Sequence, residues 1–138
     1  MLLGDCKQDK KGQWEEDNVY VTFTADETGT DEMHGVVTTG VRAGDEYLVF
    51  SRGLDDEEME DWGVYLEYRD QINGGYDCIK ACVLGRERLE VELSKPIDRH
   101  KDIEGFHVKL ALSEEQRESL AAGLRQVFRD APVLKVMA

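Results

Sequence analysis

Cysteine and histidine are the residue types in this chain that most readily support nucleophilic catalysis. Cys78 could act as a nucleophile if a histidine served as its base, and the chain contains three histidines, His34, His100 and His107. No local spacing places any of them beside Cys78, and the neighbouring Ile79 indicates a buried thiol. We therefore expect Cys78 to be structural and the histidines to be ordinary exposed or edge side chains.

Metal binding and disulfide formation are the other chemistries open to the cysteines. Cys78 and Cys82 lack the second Cys or His pair that a zinc site needs. Four residues apart on a strand, they would lie about 13 Å from each other, which is too far for a disulfide. We expect both to be small buried hydrophobic residues of a protein in a reducing cytoplasm.

Acidic residues are concentrated between Asp55 and Asp61, where only Met59 interrupts the run. No register of this run supplies the glycine that an EF-hand requires at its sixth position. The run is either a solvated face or a contact patch for a basic partner, and the adjacent tryptophan is either a core residue or an interface anchor. The candidate partner-binding residues are Asp55, Asp56, Glu57, Glu58, Glu60, Asp61 and Trp62.

Motifs of common enzymes are absent from the sequence. It has neither a P-loop nor a GxGxxG motif, and Val49 stands where a nucleophile elbow around Ser51 would need glycine. With thirty acidic residues, carboxylate pairs of the kind used by glycoside hydrolases arise by chance. We predict no catalytic residue, cofactor or metal, and keep a small carboxylate-using enzyme as an alternative.

The first half of the chain predicts strands. Residues 1–17 show no periodicity and are expected to form a loose arm. Val19–Ala25 alternates as a strand, and Asp26–Gly29 is predicted to be a turn. Residues 34–41 and 46–51 are rich in strand-forming residues and predict a hairpin.

A second group of strands is predicted from Tyr65 to Leu93. Apolar residues alternate with polar ones before Asp70, and a turn is predicted from Asp70 to Gly75 because its residues favour turns. Period-2 alternation returns at residues 79–83 and again at 89–93. The segment therefore predicts a meander of antiparallel strands.

One stretch of this segment carries the motif E-Y-x-D-Q-x-x-G-G-Y, formed by Glu67, Tyr68, Asp70, Gln71, Gly74, Gly75 and Tyr76. Together with the L-x-V-x-L strand ending at Leu93, it resembles the immunity protein 10 family of bacterial polymorphic toxin systems. Gly85 replaces the serine expected before the following turn. The resemblance implies a cytoplasmic antitoxin that binds its cognate toxin and has no catalytic activity of its own.

The C-terminal region predicts a polar connection from Ser94 to Glu104, a further strand and a helix capped by Ser113. Gln116 completes a capping box, and Pro132 discourages continuation of the helix. One face of the helix is apolar, through Leu120, Leu124, Val127 and Phe128. The predicted fold is α+β, a mainly antiparallel sheet of about six or seven strands with one amphipathic C-terminal helix packed on one face.

Composition limits the function classes. The length of 138 residues predicts a single domain over 1–138, and no apolar run is long enough to span a bilayer, so we expect neither an anchor nor a signal peptide. Thirty acidic residues against seventeen basic ones give a formal net charge of -13, which disfavours nucleic acid and anionic lipid and favours a partner with a basic surface. A generic acidic interaction or regulatory module remains a further alternative.

Overall fold

The computed structural model describes residues 20–53, 63–97, 102–129 and 131–137. The strands in these ranges are β1 (Tyr20–Ala25), β2 (Glu27–Met33), β3 (Val36–Ala43), β4 (Glu46–Gly53), β5 (Tyr65–Tyr68), β6 (Asp70–Tyr76), β7 (Ile79–Leu84), β8 (Arg88–Leu93), β9 (Gly105–Leu110) and β10 (Leu134–Val136). The helix α1 (Glu114–Phe128) precedes β10.

The strands form two five-stranded sheets. The first sheet has the order β10-β7-β8-β9-β1, and the second has the order β2-β3-β4-β5-β6. Neighbouring strands are antiparallel except at β9 with β1 and at β7 with β10, which pair in parallel. The predicted combination of many strands with one C-terminal helix is confirmed, but the prediction of one sheet of six or seven strands is wrong.

Two short crossings divide the chain between the sheets. At Asp26 the chain leaves β1 for β2, and the Asp26 amide donates to the carbonyl of Arg42 at 3.1 Å. At Asp77, whose φ is 53°, it leaves β6 for the first sheet. The predicted meander from Tyr65 to Leu93 is therefore two hairpins in two different sheets, because alternation within a strand carries no information about which sheet the strand joins.

Two predicted turns are strands. The reversal after β5 takes place at Arg69 alone, in the left-handed conformation with φ 67°, so that Asp70–Tyr76 pairs with β5 as an edge strand. The expected turn at Asp26–Gly29 is likewise mostly strand, since β2 begins at Glu27. Both stretches have turn-forming compositions, but both form edge strands of the second sheet. An edge strand pairs on one side only, so half of its backbone groups need no partner strand.

The buried side chains of both sheets and the helix form one apolar cluster. Tyr68 of the second sheet meets Phe106 of the first, with ring centroids 5.2 Å apart, and both are almost inaccessible to solvent. Phe128 of the helix lies 6.0 Å from the ring of Phe50. Aromatic contacts thus join each sheet to the other and the helix to the second sheet.

The helix packs where the sequence predicts. Its four predicted apolar side chains, Leu120, Leu124, Val127 and Phe128, are all buried. Gly123 faces the hydrogen-bonded hydroxyls of Thr30 and Thr39, and a Cβ atom at Gly123 would lie only 2.6 Å from Thr30 Oγ1. Arg117 donates to the carbonyl of Gly85 at 2.8 Å, which ties the N-terminal half of the helix to the end of β7.

Replacing Ser113 with alanine should lower the free energy of unfolding by about 1 kcal/mol. The Ser113 hydroxyl accepts from the Gln116 amide at 3.1 Å, and the Gln116 side chain accepts from the Ser113 amide at 2.9 Å, so the predicted capping box is confirmed. Urea unfolding followed by circular dichroism measures the effect. The matched variant Ser113→Asp retains an acceptor and should lose much less; equal losses in the two variants would contradict a capping role.

Candidate functional site

The partner-binding residues predicted from sequence, Asp55, Asp56, Glu57, Glu58, Glu60, Asp61 and Trp62, lie outside the described residues. The flanking strands are described. Ser51 of β4 pairs with Tyr65 of β5, so the interval begins and ends at the same end of the second sheet.

The surface of the second sheet that faces away from the core is the candidate binding surface, and we call it the outer face. Strand register sets its residues in rows across the sheet. One row contains Glu27, Arg42 and Tyr47, a second contains Gly29, Gly40, Val49, Glu67 and Gly74, and a third contains Asp31, Thr38, Ser51, Tyr65 and Tyr76. Three tyrosines and three carboxylates thus share one sheet face.

Tyr47 connects two of these rows. Its hydroxyl donates to Glu67 Oε2 across the β4–β5 pair, and the guanidinium of Arg42 lies 5.7 Å from its ring centroid. Both contacts hold the ring in place, since a cation is attracted to an aromatic face and a carboxylate accepts strongly from a phenol. Tyr47 is therefore a positioned aromatic side chain on a partly exposed surface.

Tyr65 and Tyr76 form a second aromatic group on the outer face. Their ring centroids are 4.8 Å apart at an interplanar angle of 52°, and Tyr76 is 49% exposed. The Tyr65 ring passes over Gly74, where a Cβ atom would lie 2.7 Å from Tyr65 Cζ. Gly74 is therefore required for aromatic packing in β6 and not for the turn predicted from sequence.

A groove crosses the outer face at β2 and β3. Gly29 and Gly40 pair directly, so neither strand places a side chain at the centre of the groove. The cavity volume is about 380 Å³, and its lining includes Glu27, Asp31 and Val49. We call this feature the glycine groove.

The surface of the first sheet that faces away from the core carries basic residues. Arg88 pairs across the strands with Lys109, and Arg88 also forms an ion pair with Glu90 at 3.2 Å. His107 is exposed, as predicted, and stacks on Tyr20 with ring centroids 4.5 Å apart. The Tyr20 hydroxyl donates to Glu92, which raises the pKa of Tyr20. These cations are interleaved with carboxylates, and no strongly positive patch results.

The described cysteines are buried and free, as predicted. Burial raises the pKa of Cys78 to about 11 and that of Cys82 to about 12. The thiol of Cys78 donates to the carbonyl of Gly75 at 3.6 Å and forms no hydrogen bond with a described histidine. His34 lies in the turn between β2 and β3, with φ 54°. A thiol that stays protonated and inaccessible at neutral pH is a poor nucleophile.

The buried titratable groups predict loss of stability at alkaline pH. Burial raises the pKa of Cys78 from 9.0 to about 11. The pKa of Tyr68 rises from 10.0 to about 12, chiefly because the ring is buried and also because its hydroxyl donates to Glu46. Because the folded pKa values exceed the unfolded ones, the stabilisation is complete below about pH 9 and declines as pH rises through about 11 to 12. The urea midpoint should therefore fall between pH 8 and pH 11.

A Cys78→Ala, Cys82→Ala double variant is the control for this decline. Its urea midpoint should fall less steeply over the same pH interval, because two of the groups that ionise on unfolding are missing. An identical decline in the variant would show that other groups cause the alkaline sensitivity.

Nowhere in the described ranges do three or more His, Cys, Asp or Glu side chains gather in a way that could hold a metal ion. No helix in the described part of the chain has the length and apolar character to cross a bilayer.

Sequence patterns missed the outer face because its tyrosines come from three strands. The alternating positions of Tyr47, Val49 and Ser51 were the available signal.

Compared with known proteins, the chain matches no protein-family model, no curated protein and no solved structure.

Proposed function

We propose that this protein neutralises a bacterial toxin in the cytoplasm by binding it one to one, as the resemblance to the immunity protein 10 family implies. The observation that supports binding is the outer face of the second sheet, where Tyr47, Tyr65 and Tyr76 lie among exposed or partly exposed carboxylates. Tyrosine is enriched at protein interfaces because its large ring needs little ordering and its hydroxyl bonds to a partner.

Charge supports a basic partner. The net charge of -13 attracts a cationic protein over about 8 Å at physiological ionic strength, which raises the rate of association. The acid run from Asp55 to Asp61 contributes six of the negative charges. Inhibition follows if the bound protein covers or distorts the toxin's active site, so no chemistry by this chain is required.

Co-expression with the toxin encoded beside this gene tests the proposal. Cells that produce both proteins should grow, and the purified pair should form a 1:1 complex whose toxin activity falls in proportion to added protein. Absence of binding and of rescue would overturn it. A stable partner that is harmless when expressed alone would instead indicate a regulatory module, and turnover of a substrate would indicate an enzyme.

The acid run should accelerate association with the toxin. Replacing Asp55, Asp56, Glu57 and Glu58 with their amides should lower the association rate constant about tenfold at low salt and much less at 0.5 M salt. Stopped-flow fluorescence measures the rate. The charge-matched control replaces the exposed Glu32, Glu87, Glu104 and Glu118 with glutamine. Equal effects from both variants would show that only net charge matters.

A further inference from the structure

Gly29 in the glycine groove has no structural requirement within the described part of the chain. A Cβ atom built at Gly29 meets no other atom within 4 Å, and Gly29 is not among the described glycines with positive φ. Its partner Gly40 differs, because a Cβ atom there would lie 2.5 Å from Val49 Cγ1 and closer still to the Leu48 carbonyl oxygen. Packing explains Gly40 but not Gly29.

A glycine inside a strand lowers the stability of that strand, because it has the most conformational freedom to lose on folding. Glycine at such a position commonly marks a place where a ligand or another backbone approaches closely. No atom of the described residues lies within 4 Å of a Cβ at Gly29, so none of them is the approaching group. On the described surface the groove is therefore open to a segment of a partner chain.

The charges beside the groove indicate what kind of segment it fits. Glu27 and Asp31 flank Gly29 at two residues on either side, on the same face of the strand, and both are exposed. Neither carboxylate forms an ion pair with a described residue; Asp31 accepts only from the Glu32 amide, at 3.0 Å. Arg42 lies across from Glu27 but interacts with the Tyr47 ring. Two carboxylates are thus left for cations of a partner.

We propose that a basic segment of the partner protein occupies the glycine groove, with its backbone close to Gly29 and its lysine or arginine side chains beside Glu27 and Asp31. This inference rests on the proposed function, because the partner is the toxin. Other residues that line the groove also suit a basic segment. Val49 supplies an apolar contact for the aliphatic part of a long basic side chain. The Thr38 hydroxyl, which also lines the groove, lies 3.0 Å from the hydroxyl of Ser51 and can bond to the backbone of the segment.

The first experiment does not need the toxin. The isotope-labelled full chain is titrated with the peptide acetyl-Gly-Arg-Gly-Arg-Gly-amide and followed by amide chemical shifts. The shifts should concentrate in β2 and at Thr38, Gly40 and Val49. The same titration of a Glu27→Gln, Asp31→Asn variant should need about three- to tenfold more peptide for half saturation. Shifts confined to residues outside the groove, or no shifts, would overturn the inference.

The second experiment uses the neighbouring toxin. Gly29→Val places a strand-favouring side chain in the groove, and its Cβ atom lies more than 4 Å from every described neighbour, so the variant should remain folded and melt no lower than the wild type. Its dissociation constant for the toxin should rise about tenfold or more, because the side chain occupies the partner's place. Thr24→Val, which introduces the same residue at an exposed strand position of the first sheet, should bind the toxin like the wild type.

The two experiments separate failure of this inference from failure of the proposed function. If the toxin binds the wild type and Gly29→Val equally well, the groove is not the contact and the inference is overturned, while the proposed function stands. If the toxin does not bind the wild type, the proposed function falls, and the peptide titration alone decides whether the groove accepts a basic segment. The charge control is Glu87→Gln, Glu118→Gln, which removes two exposed carboxylates from residues that do not line the groove.

Discussion

Replacing Phe106 with alanine is expected to lower the free energy of unfolding by about 3 to 5 kcal/mol. Phe106 is fully buried in β9, and its ring meets Tyr68 of the opposite sheet at 5.2 Å. Its neighbours across the strands, Val21 and Val91, belong to the same sheet and cannot move into the vacated space without disturbing their own pairing. Since small domains are stable by only about 5 to 15 kcal/mol, the variant should be close to unfolding at 37 °C.

Urea unfolding at 25 °C measures the Phe106 effect, with circular dichroism and intrinsic protein fluorescence as independent probes of the transition. Phe106→Leu is the matched control, because it keeps much of the apolar volume and should lose about half as much or less. A double-mutant cycle with Tyr68→Ala should show a coupling of about 0.5 to 1.5 kcal/mol for the contact between the rings. A loss below 1 kcal/mol for Phe106→Ala would contradict the packing of the two sheets against each other.

Replacing Gly105 with alanine is expected to lower the free energy of unfolding by about 3 kcal/mol, although alanine is normally the more favourable residue inside a strand. A Cβ atom at Gly105 would lie 2.6 Å from Tyr20 Cε1 and closer still to the carbonyl oxygen of Val91. The carbonyl belongs to the backbone of β8, which pairs with β9, so it cannot rotate away as a side chain could. Relief of the overlap requires separation of two paired strands.

Gly29→Ala is the control for Gly105→Ala, because it makes the same change inside a strand where a Cβ atom has no described neighbour within 4 Å. It should raise the free energy of unfolding by about 0.5 to 1 kcal/mol through the lower entropy of the unfolded chain. Thermal melts of the two variants should therefore shift in opposite directions. Shifts of the same sign would show that backbone preference, and not contact with Val91 and Tyr20, decides the effect at Gly105.

Local sequence predicted the C-terminal helix well because its signals lie within a few residues of one another. Ser113, Gln116 and the apolar spacing from Leu120 to Phe128 act through contacts made inside the helix or along one of its faces. The hairpin of β3 and β4 was predicted for the same reason, since its turn residues adjoin the strands they connect. The burial of Cys78 was predicted from its apolar neighbour Ile79.

The candidate site was harder to predict because its parts come from separate strands. Tyr47, Tyr65 and Tyr76 share a face only through the register of β4 with β5 and of β5 with β6. The acid run from Asp55 to Asp61 was the more visible signal in the sequence, but it lies outside the described residues and stays a prediction. A dense run of charges can be recognised within one segment of the sequence. A surface on a sheet can be recognised only when it is known which strands pair and in which register.

The chain's own residues determined the predominance of strands, the capped helix, the buried thiols and the acidic net charge. Tertiary structure alone decided that the strands divide into two sheets at Asp26 and Asp77, and that Gly29 lies opposite Gly40. The physical reason is how far apart along the chain the interacting residues lie. Helix capping and strand alternation depend on neighbours in sequence, whereas sheet membership and register depend on backbone hydrogen bonds between residues far apart along the chain.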